Sequence, residues 1–295
     1  MCLYRTKHLS SGLTIKRLFS YGASFVDFKK MNFRIEQNAN AIINESEFYF
    51  GFALPLKYAT NTYINDLKVY GRGWAFDLGM TYQLKERGYE INRYDKICEQ
   101  EFEPYILKIG ISLLDIGKIK FNNNVEIHKY KGSLDWNSIN TLKFKSVRYI
   151  SNELSWHYYG DTDASLVNDT TFSIGLPTTL SIQSDYHYYK NIYFGALLML
   201  PIQLSEYQLY RPSLIAFMPR YETAHFEVST SVSLYDFSEL RLGLSVRYGF
   251  FTLGTDKLGA FMGFNNFDGF DFYFMIKLNF RKGKCANKYV EFCTE

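Results

Sequence analysis

Proline, tryptophan and long apolar runs are what this chain has least of. Six prolines and three tryptophans stand among 295 residues, so little interrupts extended structure. The longest apolar run, "IYFGALLMLPI" over 192–202, contains Pro201 and falls well short of the ~20 residues that a membrane-crossing helix needs. Transmembrane helices are excluded. The opening "MCLYRTKHLSSGLTIKRLF" is basic but lacks the apolar core of an export signal, so the expectation is either a cytosolic protein or a chain that begins inside a longer gene product. The four cysteines, Cys2, Cys98, Cys285 and Cys293, form no CxxC pair and have no metal-ligand spacing. Cys285 and Cys293 fit either a disulfide in an oxidising compartment or two free thiols, and Cys2 has no apolar stretch before it to mark a lipid attachment site. The five histidines, His8, His128, His157, His187 and His225, include no pair at helical i, i+4 spacing. No metal or other cofactor is expected. The net charge of +3 is scattered and not striped, so no nucleic-acid partner is expected either.

What the chain has in abundance is aromatic and alternating. There are 26 Phe and 25 Tyr, and aromatics make up 18% of the residues. In "TFSIGLPTTLSIQSDYHYY", 171–189, the even positions from Phe172 to Tyr188 are mostly apolar, and the odd ones are Thr, Ser, Gly, Pro, Gln, Asp and His. Period two is the signature of a strand with one greasy face. The expectation is one long strand with Phe172 and Tyr186 as ring anchors near its ends, and a bulge or break at Pro177, which removes a ladder hydrogen bond. The pattern recurs in "WAFDLGMTYQLK" (Trp74, Phe76, Leu78, Met80, Tyr82, Leu84), "FEVSTSVSLYDF", "LRLGLSVRYG" and "FYFMIKLNF" (to Phe280), and more weakly at 13–28, 47–54, 105–116, 124–131, 192–203 and 212–222. Roughly a dozen strands follow, many joined by turns such as "YYKN" and "YDFSE". Two segments interrupt them. Residues 86–104 are heavily charged and read as a loop; in 132–170, Val147, Ile150, Leu154 and Tyr158 sit at helical spacing and predict one short amphipathic helix.

Two architectures give such strands: a soluble sandwich with its apolar face inward, and a membrane barrel with its apolar face outward. The polar face favours the barrel, because it is small, glycine-rich or hydroxylated with isolated charges, where a soluble sandwich would carry dense Lys and Glu. Asp77, Asp185, His187, Glu227, Arg241 and Arg247 are the lumen-facing polar candidates. Arg241, Arg247 and Glu227 form either a charge ladder that shapes selectivity or simple bracing pairs.

The stretches "YGRGWAFDLGMTYQLK" (70–85), "LKIGISLLDIGKIKF" (107–121), "GLPTTLSIQSDYHYYKNIYFGALLMLPI" (175–202), "PRYETAHFEVSTSVSLYDFSELRLGLSVRYGFFTLGTDKLGAFMG" (219–263) and "GFDFYFMIKLNF" resemble an uncharacterised outer-membrane β-barrel family of Bacteroidota. The resemblance spans about 10–281. It implies an exported barrel of greater length, a final strand read by the insertion machinery, and no assigned activity.

The expected fold is therefore an antiparallel transmembrane β-barrel of about 12 strands, either whole or an incomplete part of a larger one. One domain covers 1–281, with loops at 86–104 and 132–170, and a polar tail covers 282–295. The expected function is a non-catalytic conduit or binding pocket for small or hydrophobic solutes, or an envelope scaffold. The protein would lie in the cell outer membrane, with lipid, a small-molecule solute and envelope proteins as partners. A secreted soluble ligand-binding protein is the alternative, and a membrane-embedded lipase stands third. "YGRGWAFDLG" lacks the third glycine and following helix of a nucleotide loop. Asp161, Asp163, Ser165 and Asp169 alternate as in a calcium loop, but Leu166 and Phe172 occupy its glycine and glutamate positions. If Phe280 ends at the periplasm, loop parity places both 86–104 and 132–170 on that side, where turns are usually short, so either one strand is miscounted or the helix segment folds inward as a plug.

Overall fold

The computed structural model describes residues 2–5, 9–36, 40–64, 68–84, 105–137, 145–223, 225–261 and 271–277. In chain order the elements are β1 (Cys2–Arg5), β2 (Leu9–Ser20), β3 (Ala23–Ile35), β4 (Ala41–Ala53), β5 (Leu56–Lys57), β6 (Thr62–Tyr63), β7 (Gly71–Leu84), β8 (Leu107–Phe121) and β9 (Val125–Trp136). They continue with α1 (Val147–Tyr159), β10 (Phe172–Gly175), β11 (Thr179–Tyr189), β12 (Ile192–Pro201), β13 (Leu214–Glu222), β14 (Phe226–Tyr235), β15 (Glu239–Tyr248), β16 (Phe251–Thr255), α2 (Leu258–Phe261) and β17 (Tyr273–Ile276). The chain is all-β, and its strand ladders are antiparallel. Twelve strands form one large sheet in the order β1-β2-β7-β8-β11-β12-β13-β14-β15-β16-β17, with β10 paired to the end of β8. A second sheet has the order β3-β4-β9. Among the described residues no ladder joins β17 to β1.

The two sheets share long tracts of chain. β2 runs into β3 at Tyr21-Gly22, and β8 runs into β9 through 122–124. A side chain on Gly22 would have its Cβ 3.1 Å from both Ala53 O and Pro55 Cδ, so the close approach at the bend favours glycine there. The three-stranded sheet is thus an extension of one end of the large sheet. Buried apolar residues gather there. Ala53, Tyr70, Phe121, Ile127 and Phe172 form one cluster at the junction; Ala41, Ile43, Leu134 and Trp136 form another, with Leu154 and Tyr158 of α1 against it.

The helix lies where its spacing predicts. Ser146 caps it, accepting from Tyr149 N at 3.1 Å, and Gly160 ends it at φ 70°, donating to Trp156 O. Its innermost residues are two serines that the apolar spacing did not single out. Ser151 and Ser155 are fully buried, and their small size lets the helix approach β9 closely enough for Tyr130 Oη to donate to Ser151 O at 3.2 Å.

The stretch 172–188 is not one strand. As expected at Pro177, it breaks, and β10 and β11 pair separately with β8: Ile174 faces Ile119 and Thr179 faces Leu114. The break also turns the faces over. Phe172 is a buried member of the junction cluster, stacked on Phe121 at 4.9 Å, and not an exposed ring anchor. Loop parity also needs correcting. The β7–β8 connection shares an end of the large sheet with the short turns at 190–191 and 249–250, while α1 and the extension stand at the opposite end. The parity differs because β8 and β9, which the alternation separates into two strands, run on in one direction without a reversal between them. Phe280, the loop 86–104, the tail 282–295 and Cys98, Cys285 and Cys293 lie outside the described residues.

The large sheet has its greasy side out. On β7, Trp74, Phe76, Leu78, Met80, Tyr82 and Leu84 are each 41–54% exposed. Ile111, Ile215, Phe217, Val232, Leu240 and Leu253 extend that exposed surface across the neighbouring strands. On the opposite face Thr179 is fully buried and Ser181 is 8% exposed. Exposed aromatic rings, Tyr186, Tyr188, Tyr221, Phe226, Tyr248 and Phe251 among them, crowd the short-turn end.

Candidate functional site

Every lumen-facing candidate named from the sequence falls on the polar face of the large sheet or at its margin, and the strand registers bring some of them together. Glu227 and Arg247 are direct cross-strand partners on β14 and β15, with Arg247 Nε donating to Glu227 Oε2 at 2.8 Å. The chain of contacts continues. Arg247 reaches Glu222 at 3.4 Å, Arg220 pairs with the same carboxylate at 3.0 Å, and Arg220 NH2 donates to Asp185 Oδ2 at 2.8 Å. Tyr105 Oη donates to the same Asp185 oxygen. Gly195 stands opposite Asp185 on the intervening β12, and with no side chain there the Arg220–Asp185 contact crosses the strand freely. The Arg220 guanidinium lies 4.7 Å from the Tyr193 ring centroid. His187 also stacks on that tyrosine, with ring centroids 4.5 Å apart, and its Nε2 lies 2.6 Å from Lys190 O.

Three carboxylates and two guanidiniums thus form one interlocked ladder at the short-turn end. Each arginine is shared between acids, and the Arg247 side chain is only 14% exposed. Such charge-assisted pairs hold strands in register when geometry satisfies both partners. Bracing is what this geometry does. Arg241 stands apart, 2.7 Å from Glu239 on its own strand and over the Tyr235 ring at 3.7 Å.

A second cluster sits at the other end, around the break before β11. Asp115 has φ 57°, and the β7–β8 register slips beside it. This bulge turns its backbone N–H to Asp77 Oδ1, at 2.8 Å. Lys16 bridges Asp77 and Asp115 at 2.7 Å each. Arg211, arriving from the β12–β13 loop, pairs with Asp115 at 3.1 Å and donates to Thr179 Oγ1 at 3.2 Å, while Thr178 Oγ1 donates to Asp115 O. Two acids meet two bases.

Between the clusters lies a shallow depression of about 360 Å³, lined on the polar face by Ser10, Gly12, Gly79, Thr81, Gly110 and Gln183. The wall is uncharged, made of hydroxyls, an amide and glycine backbone, with Met80 and Ile111 also in the lining.

Sequence reading missed Lys16, Tyr105, Asp115, Arg211, Arg220 and Glu222. Arg220 and Glu222 carried a usable signal, being two apart in a strand whose turn to β14 is short. Asp115 carried none, since its orientation depends on the bulge. The calcium-like loop is ordinary structure: Asp161 Oδ1 accepts from Asp163 N at 3.0 Å, and Ser165 is buried against His128 Nδ1 at 3.0 Å. Among the described residues no group of three or more His, Cys, Asp or Glu is placed to hold a metal. In the extension, burial pushes the Tyr58 and Tyr130 hydroxyls up to about 12, and the neighbouring Lys131 and Lys129 ammonium groups hold the Glu47 carboxyl below its ordinary value.

Compared with known protein families, residues 5–256 match the model described as "Family of unknown function (DUF5723)". None of the curated proteins and none of the solved structures compared matches the chain.

Proposed function

The chain belongs to DUF5723, and we propose that this member is an outer-membrane β-barrel protein without catalytic activity, whose polar face forms a braced interior with a pocket for small solutes. The observation that carries the reading is the inverted surface of the large sheet. Soluble proteins seldom expose so continuous an apolar face, and an exposed patch beyond a few hundred Å² marks a place where something other than water is met. Here that face spans the large sheet while threonine and serine are buried on its other side. Lipid tails are the medium that suits it.

Dimensions agree with this reading. From Trp74 to Leu84 the exposed row rises roughly 23 Å at ~3.3 Å per residue and ~45° tilt, close to the ~25 Å apolar band of outer-membrane barrels. The aromatic crowd at the short-turn end occupies the place of an interfacial girdle. Backbone pairing in hydrocarbon requires a closed cylinder. Counted along the eleven strands from β1 to β17, directions alternate, so the two edge strands run parallel, and closure of the cylinder is part of the proposal. The short turns then lie on the periplasmic side and the extension with α1 on the outside, in keeping with the resemblance to Bacteroidota envelope barrels.

The two charge clusters are internally paired, so the interior offers a solute mainly hydroxyls, amides and backbone, which fits small polar molecules without net charge. The test is partition. The protein is expected to enter detergent and lipid vesicles and to migrate faster on a gel before boiling than after. A monodisperse protein in detergent-free buffer would reject the reading.

A further inference from the structure

The extension carries a surface that its own helix leaves uncovered. α1 lies over β4 and β9, where Ala41, Ile43, Leu134 and Trp136 are buried. The same face continues onto β3, because Phe28 stands opposite Phe48, Met31 opposite Ser46, Phe33 opposite Ile43 and Ile35 opposite Ala41. On β3 no described element lies over it. Val26, Phe28, Met31, Phe33 and Ile35 are 40–63% exposed. The strand is also an edge: among the described residues β4 is its one ladder partner. Trp74 to Leu84 already spans the apolar band, so on the membrane reading this row stands beyond the lipid, in water.

We propose that the occupant of this edge is a second copy of the same chain, pairing β3 with β3 antiparallel about a two-fold axis at Met31. The argument is self-complementarity. Lys29 is a bulge residue, since Phe28 faces Phe48 and Lys30 faces the next residue back, Glu47. With that bulge kept in both copies, one register matches every position to a partner on the same face: Val26 to Ile35, Asp27 to Arg34, Phe28 to Phe33, Lys30 to Asn32, and Met31 to itself. The apolar row meets apolar residues throughout. On the other face the register sets Asp27 of each copy against Arg34 of the other, opposite charges across the strands. Two-fold contacts of this isologous kind use one patch twice, and that is what this strand offers. Bulges and basic residues usually blunt a sheet edge. Here Lys29 is held by Asp27 and Glu206, Lys30 by Glu45, and Arg34 by Glu36, so the cations lie against carboxylates of their own chain.

Antiparallel pairing fixes where the second copy sits. Its large sheet points the opposite way, so two membrane-held copies meet only when they are anchored in facing membranes. The association is a contact between surfaces, with bilayers separated by at least twice the rise from Ala23 to Met31, roughly 50 Å at ~3.3 Å per residue. This consequence rests on the membrane reading; the strand pairing does not.

The experiment uses full-length chain with its four cysteines changed to serine. Met31→Cys is expected to give a disulfide-linked dimer on mild oxidation in detergent, because that residue faces its own copy on the axis, and Phe33→Cys is expected to give little. Asp27→Arg is expected to lower dimer yield about tenfold, and Asp27→Arg with Arg34→Asp to restore it. Proteoliposomes of the unmodified protein should cluster, and those of Asp27→Arg should not. Absence of a Met31→Cys dimer, or equal yields from both cysteine positions, overturns the pairing. A dimer in detergent-free buffer from a chain that does not enter vesicles keeps the pairing and rejects the membrane reading instead.

Discussion

Leu78 and Leu84 have nearly the same exposure, 46% and 42%, on one face of one strand, yet the two media proposed for that face treat them differently. If water is the medium, an arginine at either site is a surface substitution, and each changes stability by no more than about 0.5 kcal/mol. If lipid is the medium, depth matters. Leu78 lies mid-row, and Leu84 lies six residues further on, about 14 Å along the normal at ~3.3 Å per residue and ~45° tilt. Leu78→Arg should then cost about 2–4 kcal/mol and Leu84→Arg about 0–1 kcal/mol. In equilibrium terms the mid-row variant loses roughly 30- to 1000-fold, since ~1.4 kcal/mol is a factor of ten. Denaturant unfolding and refolding in lipid vesicles, followed by tryptophan fluorescence, reads both values. Equal costs below about 0.5 kcal/mol would refute the reasoning.

Arg247→Met strands Glu227 without its guanidinium, while Glu222 keeps Arg220, and should cost about 3 kcal/mol, read by the same unfolding assay, with Glu227→Gln/Arg247→Met recovering part of the loss. Ser151→Leu overpacks the contact between α1 and β9 and should lower the extension's melting transition by about 1–3 kcal/mol while leaving the large sheet's transition in place, as followed by thermal circular dichroism. Tyr58 and Tyr130 hold their protons more tightly folded than unfolded, so their stabilisation is complete below about pH 10 and is lost as pH rises from about 10 to 12, by roughly 2–3 kcal/mol for each. Hydrogen exchange should therefore show the extension opening first in that window. Glu47 works in the opposite direction: its carboxyl is held below the ordinary value, so its contribution is present above about pH 4.5 and fades as pH falls further, which Glu47→Gln should abolish in an acid titration.

The alternation that marked the strands was legible because a period of two is a local property. Trp74 through Leu84 read as one face, and they are one face. The helix was legible for the same reason, since Val147, Ile150, Leu154 and Tyr158 share a stripe. What local pattern hides is a change of face. Phe172 and Ile174 have the parity of Leu180 and Ile182, and the break at 176–178 places them on the opposite side, where Phe172 packs under Phe121. The bulge at Asp115 is hidden in the same way: nothing in "LLDIG" says that the aspartate turns to meet Asp77 and Lys16. Of the candidate site, the polar face followed from strand parity alone, while the choice of Arg247 and not Arg241 as the partner of Glu227 needed the β14–β15 register. Arg220 and Glu222 needed the β13–β14 register, and Arg211 needed the path of a loop.

The central claim concerns what touches the apolar rows, and tryptophan position allows a direct measurement. Trp74 lies on the exposed row at 52%, and Trp136 is 7% exposed beneath α1 in the extension. In single-tryptophan variants reconstituted into vesicles of acyl-chain-brominated lipid, Trp74 should lose most of its fluorescence and Trp136 almost none. Equal quenching of the two, or none of Trp74, would contradict the account.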